Sequence, residues 1–269
     1  QMCIRDSEET LLAKYRDQVP VREAEWDSRH FWEVSNAEQL AMSEGVGMIN
    51  LSHFAIFDVE GADAEGLMEY LSVAKVGADT AIGKGVYTHF LDHAGGIRSD
   101  LTIIRLAEDC FRVVCGGDTG HRDYIWMRDM SDRKGFSNVT FHDRSEELAT
   151  LGLWGPEARV TLAKLIDDPE SISTKSFPFA TTKEITVCGV KVWAVRISYV
   201  GEQGWELYFP FSDGLAVWDA LFKLGVTPVG IETYANSRRL EKSLRLQNAD
   251  LEIDYNLYEA GPVSYTHLR

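Results

Sequence analysis

Hydrophobic and polar positions alternate with period two over several short stretches of the chain and recur at helical spacing over others. Residues 46–60 (VGMINLSHFAIFDVE) alternate and are rich in Ile, Val and Phe, which predicts strands. Residues 63–74 place Leu67, Tyr70 and Leu71 at helical spacing, with Asp63 near the start. Val86–Leu91 alternates, the turn DHAGG (92–96) follows, and Leu101–Leu106 and Phe111–Val114 resume strands, so Asp100 is expected at a strand start. Residues 119–133 predict a helix ending near Lys134–Gly135. Ala149–Leu153 predicts a short strand, and Gly155–Pro156 opens a helix through Leu165. Residues 185–198 read as strand, turn, strand, and Trp205–Phe209 as another strand. Asp213–Leu224 and Ile231–Leu244 read as helices. Hairpins interleaved irregularly with helices predict an α+β fold over a doubly wound parallel sheet. Residues 8–35 are polar and charged, with Trp26, Phe31 and Trp32 as anchors, and read as a lead-in segment outside the core.

Composition narrows the function classes. The 269 residues suit one or two lobes, and 45% apolar residues suffice for a core. A formal net charge of −15 argues against a nucleic-acid partner, which needs clustered Lys and Arg. The four cysteines form no CxxC pair, and Cys110 and Cys115 read as buried thiols. The seven histidines are scattered without metal-ligand spacing, so no metal is expected. No apolar run reaches the ~18 residues that span a membrane, and no secretory signal is visible, so no membrane partner and a cytoplasmic setting are expected. Residues 1–7 (QMCIRDS) and 262–269 (PVSYTHLR) resemble translated adaptor sequence, which leaves 8–261 as the expected folded region, with the native gene continuing past both ends.

Three segments offer chemistry. Asp100, four residues past a Gly–Gly turn, can serve as a general base or hydrogen-bond acceptor in a cleft, or simply cap a hairpin at the surface. Ser198–Tyr208 (SYVGEQGWELY) sets Tyr199, Glu202, Trp205, Glu206 and Tyr208 around two glycines. A carboxylate there can accept two parallel N–H bonds from a flat, amide-like heterocycle, and the plain alternative is a turn with outward glutamates. Asn236–Lys242 (NSRRLEK) puts Arg238 and Arg239 on a helix, where they can fork onto a ligand carboxylate. Equally, Arg239 can pair with Glu206 or another acid. There is no G-x-x-x-x-G-K-[ST] phosphate loop, no G-x-S-x-G elbow and no G-x-G-x-x-G after a strand, so this chain is not expected to hold FAD or NAD by itself.

Taken in order, these segments resemble the aminomethyltransferase family, which includes the glycine-cleavage aminomethyltransferase and the folate domain of sarcosine and dimethylglycine dehydrogenases. GGIRSDLTIIRL resembles the family's GGI-x-x-D-[LT]-x-V strand, SYVGEQGWELY its Y-x-G-E-x-G-[WF]-E block in the dehydrogenase form, SRRLEK its S-L-R-[LI]-E-K, and LWGPEAR its Q-G-P-x-A segment. The resemblance implies a folate-binding fold of two intertwined lobes, without the family's C-terminal β-barrel. It implies Asp100 as the catalytic carboxylate, Tyr87 on the folate cleft, Tyr199 and Glu206 holding the folate with Glu206 facing the pterin, and Arg239 in the folate site. Glu202 is the block's other glutamate, with either a binding or a structural role. Trp205 is expected beside the ligand. Asp92, Trp154, Asn236 and Arg238 depart from the family pattern, as does Cys115 or Gly116 where an asparagine is usual.

The implied activity is one-carbon transfer to tetrahydrofolate from a small amine donor such as glycine, sarcosine or dimethylglycine, with a fused or partner flavin dehydrogenase domain. Two further readings share the site: a folate-dependent O- or S-demethylase, and a non-catalytic folate-binding assembly factor. The last is marked by a K-G-C-Y-x-G-Q-E segment that is absent here.

Overall fold

The computed structural model describes residues 2–19 and 32–261, with side chains from residue 8 onward. The expected anchors Trp26 and Phe31 and the stretch 262–269 lie outside the described residues. Two helices, α1 (Met2–Tyr15) and α2 (Trp32–Glu44), precede the first sheet strand. The segment from residue 8, expected to stay outside the core, instead packs: Tyr15 is 1% exposed and sits with Leu11, Leu12, Ala37 and Ala41. Its charged residues hid a narrow apolar stripe that a partner helix covers.

The chain then runs β1 (Gly47–Asn50), β2 (Ala55–Glu60), α3 (Ala64–Leu71), β3 (Gly85–Leu91), β4 (Ile97–Ala107), β5 (Cys110–Cys115) and α4 (Gly120–Lys134). It continues through β6 (Thr140–Asp143), β7 (Leu148–Trp154), α5 (Ala158–Leu162), β8 (Thr182–Val187), β9 (Val190–Val195), β10 (Gly204–Pro210), α6 (Gly214–Lys223) and β11 (Thr227–Pro228). One sheet has the order β11-β1-β7-β10-β9-β8 and the other β3-β4-β5-β2-β6. All these pairings are antiparallel except β1 with β11, so the α+β expectation holds.

Strand alternation sorts the side chains into layers. Phe90, Leu101, Ile103, Phe111 and Val113 face α3 and α4. Trp205, Leu207 and Phe209 face a separate core with Ala158, Leu162, Val217 and Leu221 from α5 and α6. The opposite faces meet each other: Ile56, Ile104 and Val114 of one sheet pack on Val195 and Tyr208 of the other. Tyr87, Asp100 and Glu206 fall on these facing sides. The described residues contain no helix long and apolar enough to cross a membrane.

Three local expectations change. Asp100 lies inside β4, which begins at Ile97, because the tight turn closes directly onto Tyr255 and Asn256: Ile97 N–H donates to the Tyr255 carbonyl (3.1 Å), and Gly96 bridges to Asn256. The helix after Pro156 stops at Leu162, where tighter i→i+3 bonds take over: Lys164 N–H donates to the Thr161 carbonyl (3.1 Å) and Leu165 N–H to the Leu162 carbonyl (2.9 Å). The helix over 231–244 is a π-helix at Thr233–Arg238, followed by one α-turn.

Candidate functional site

β3 and β4 place Tyr87, His89 and Asp100 on one face, because His89 is in register with Asp100 and Tyr87 is two residues from His89. The Tyr87 hydroxyl donates to Asp100 Oδ2 at 2.9 Å. Burial pushes the Asp100 carboxyl up to about 6. The Tyr87 hydrogen bond opposes this, and the charges of Asp123 and Asp118 add to it. Burial, then the Asp100 charge, raises the Tyr87 hydroxyl well above the ordinary phenol range. Tyr87 nevertheless exposes 39% of its surface, the signature of a ring on the wall of a cleft. His89 is fully buried, with its ring 5.0 Å from that of Tyr87, and burial pulls its pKa down to about 4. It is a neutral packing and polarising neighbour at physiological pH. Behind β4, the buried Asp123 accepts from Ser99 at 2.6 Å, and its negative field is one reason Asp100 is a weak acid.

β10 supplies the facing half. Glu206 and Tyr208 project toward the first sheet, and the Tyr208 hydroxyl donates to Glu206 Oε2. Both are nearly sealed from solvent, at 5% and 1% exposure. Burial lifts the Glu206 carboxyl to about 7, against the lowering pull of the Tyr208 bond. Cross-strand from Glu206 stands Gly152, and a Cβ there would lie 2.0 Å from the Trp154 ring. Glycine is therefore required for Trp154 to fold flat over the strand. The indole N–H donates to the Ile197 carbonyl at 2.8 Å, and the ring stacks on Tyr234 (5.6 Å, 23°), on which Tyr199 leans at 5.2 Å.

The two halves share one neighbourhood. After burial, the charge of Asp100 is the leading influence that raises the Tyr199 hydroxyl, and Arg239 and Asp250 act on it too. Tyr234 is raised by burial and then by Glu206, Tyr199 and Asp100. Such influences are appreciable only over short separations, so Tyr234 is in reach of Asp100, Tyr199 and Glu206, and Tyr87 is in reach of Asp100 and Tyr199, which makes the space between the sheets the candidate cleft.

The predicted arginines and the second glutamate are engaged elsewhere. The Arg239 guanidinium pairs with Asp250 and donates to the carbonyls of Ala235 (2.7 Å) and Leu244 (3.1 Å), at 5% exposure. It borders the cleft and ties down the 244–250 loop, on which Tyr199 also anchors through the Arg245 carbonyl (2.6 Å). Arg238 pairs with Glu202 (2.5 Å) and Glu241 (3.0 Å). Glu202 thus sits in an ion-pair cluster with Arg238 and Lys242. Trp205, expected beside a ligand, faces the α5–α6 core instead, because odd positions of β10 point away from the cleft. Trp154 instead stacks on Tyr234. Tyr234, His89 and Asp123 carried no sequence signal beyond their residue types.

Two hollows lie apart from these residues. One of 490 Å³ is bordered by Tyr70, Trp126 and Leu257, and one of 1140 Å³ by Leu11, Ile49, Trp218 and Phe222. Neither contains a carboxyl–phenol pair, and the inter-sheet cleft contains two, which places the candidate chemistry there. The cleft's donor set fits a flat heterocycle bearing N–H groups: an aromatic wall of Trp154, Tyr234 and Tyr199, and a Glu206 oxygen, Oε1, that no protein donor meets and that is not sealed.

Comparison with known proteins identifies the family. Residues 8–267 match the GCVT N-terminal domain family. An aminomethyltransferase from Herpetosiphon aurantiacus is 34% identical over 83% of this chain and 60% of its own length. The mitochondrial dimethylglycine dehydrogenase of Rattus norvegicus is 32% identical over 84% of this chain and 26% of its own. The crystal structure of the glycine cleavage system aminomethyltransferase T from Bartonella henselae superposes with a TM-score of 0.72 at 22% identity, over 92% of this chain and 65% of that one. The chain therefore spans less than two thirds of each.

Proposed function

The chain belongs to the GCVT N-terminal domain family, and from that premise we propose that it carries the tetrahydrofolate site of an enzyme that transfers an aminomethyl or methylene carbon from a small amine. Glycine, sarcosine and dimethylglycine are the donor class. The observation that carries the reading is a carboxyl–phenol pair on each of two facing sheets, Asp100–Tyr87 and Glu206–Tyr208, with Tyr234 in electrostatic reach of both carboxyls.

Bound tetrahydrofolate would supply the nucleophilic nitrogen. The chain's own residues do the rest. Asp100, with its pKa near 6, is mostly ionised at neutral pH yet basic enough to accept a proton from a nitrogen that gains positive charge. Tyr87 holds one of its oxygens, which fixes the direction of the other. Glu206 Oε1 accepts an N–H of the pterin, and Trp154, Tyr234 and Tyr199 keep water from the reacting centre. Correct positioning of this kind contributes several kcal/mol to a barrier, as an order of magnitude. The dehydrogenase relative supports delivery of the donor by an amine-oxidising unit, a flavin domain fused to this region or associated with it.

Titration with tetrahydrofolate, followed by quenching of Trp154 emission, tests the binding. Product analysis tests the chemistry: methylenetetrahydrofolate supports the proposal, methyltetrahydrofolate indicates demethylation, and binding without any product indicates an assembly role.

A further inference from the structure

A carboxylate that recognises the edge of a pterin or guanine commonly uses both oxygens, accepting two parallel N–H bonds. In Glu206 one of the two oxygens already has a donor. Tyr208 lies two residues on along β10, hence on the same face, and its hydroxyl donates to Glu206 Oε2 from below. Oε1 meets no protein donor among the described residues. Tyr208 is itself locked: it is 1% exposed and packed among Ile56, Ile104, Val114 and Val195 between the sheets.

We infer that Tyr208 is a positioning residue: by holding Oε2 it sets the direction in which Oε1 meets the bound heterocycle, so that recognition is centred on Oε1 and not shared evenly in a two-bond fork. This rests on the folate reading above. The groups facing Glu206 are few. Its cross-strand neighbours are Gly152 on β7 and Val195 on β9, neither of which titrates. The π-helix presents Tyr234, which is in electrostatic reach of Glu206, and the Arg112 guanidinium on β5 acts on Tyr208 and is itself neutralised by Asp58. No cation pairs with Glu206 within salt-bridge distance, so the phenol is its one hydrogen-bond donor among the described residues. A buried carboxyl held by a single phenol ionises with difficulty, in keeping with its pKa of about 7.

The test is the pH profile of tetrahydrofolate affinity in the full chain, for the wild type, Y208F, E206Q and the double variant. Affinity in the wild type should fall on the acid side as Glu206 takes a proton. Y208F should move that acid limb to higher pH, weaken binding about tenfold at neutral pH, and recover toward wild-type affinity in alkali. E206Q should abolish the limb, and adding Y208F to it should change affinity little, since the phenol acts through the carboxyl. A wild type that does not bind tetrahydrofolate defeats the functional reading. Wild-type binding with an unshifted limb in Y208F, or tighter binding at every pH, overturns the inference alone. Should Y208F fail to fold, the E206Q comparison decides: an acid limb that persists in E206Q overturns the inference, and its loss supports it.

Discussion

Tyr87 and Asp100 are joined by a 2.9 Å hydrogen bond, although the register pairs Tyr87 with Thr102 and Asp100 with His89. The bond is diagonal. It reaches across the ladder and engages one of the two Asp100 oxygens. A carboxylate at the base of a cleft is thereby oriented by a phenol and destabilised as an anion by its surroundings. This combination makes a base of useful strength near neutrality.

Replacing Asp100 by Ala or Asn should lower turnover by about 10²–10⁴-fold while changing tetrahydrofolate affinity by far less. Steady-state kinetics beside direct titration separate the two quantities. Normal turnover in either variant removes Asp100 from the mechanism.

The rate should rise with pH through about 6, because the ionised Asp100 is the active form and its carboxyl titrates there. The Tyr87 bond lowers that value, so Tyr87→Phe should push the acid limb of kcat/KM upward in pH. An unchanged limb would mean that the diagonal bond is not present in solution.

Glu206 also makes stability depend on pH. Its folded-state pKa, about 7, is raised above that of an unfolded glutamate, so its favourable contribution is complete below the unfolded value and is lost as pH rises through the folded one. The loss is on the order of 3 kcal/mol. Glu206→Gln should therefore gain stability relative to the wild type between about pH 5 and about pH 8. Urea denaturation at both values checks this, and an equal difference at both would refute it.

Gly152→Ala should place a methyl group into the Trp154 ring, where a Cβ would come within 2.0 Å. The ring must leave the Tyr234 stack, so tetrahydrofolate affinity should drop roughly tenfold or more, and stability by about 1–3 kcal/mol. Retained affinity with quenchable Trp154 emission would show that the wall is not part of the site.

Asp58 holds Arg112 through two hydrogen bonds, 2.8 and 2.9 Å, and also meets Arg144 at 3.1 Å. Arg112 is 9% exposed, so Asp58→Ala strands a guanidinium between the sheets. The expected cost is about 3–5 kcal/mol, read as a lower urea midpoint, whereas a pair of exposed residues would cost under ~1 kcal/mol.

By itself, the sequence determined most of the strands, the α+β class, and the presence of Asp100, Tyr87, Tyr199 and Glu206 in chemically suggestive settings. Period-two alternation and turn glycines are local properties, and they survive folding wherever a strand is half buried. It also determined, through the chemistry of a carboxyl group, that Glu206 could recognise N–H groups. What it could not determine was which partners were already taken. Arg239 belongs to Asp250, Arg238 to Glu202 and Glu241, and one oxygen of Glu206 to Tyr208. Trp205 faces the α5–α6 core and not the expected ligand side because a strand has two faces, and only packing decides which is inside. The same holds for the polar segment that buries Tyr15, and for Tyr234, packed between Trp154 and Tyr199. Long-range pairing depends on the summed burial of both sheets, and no single stretch of sequence contains that sum.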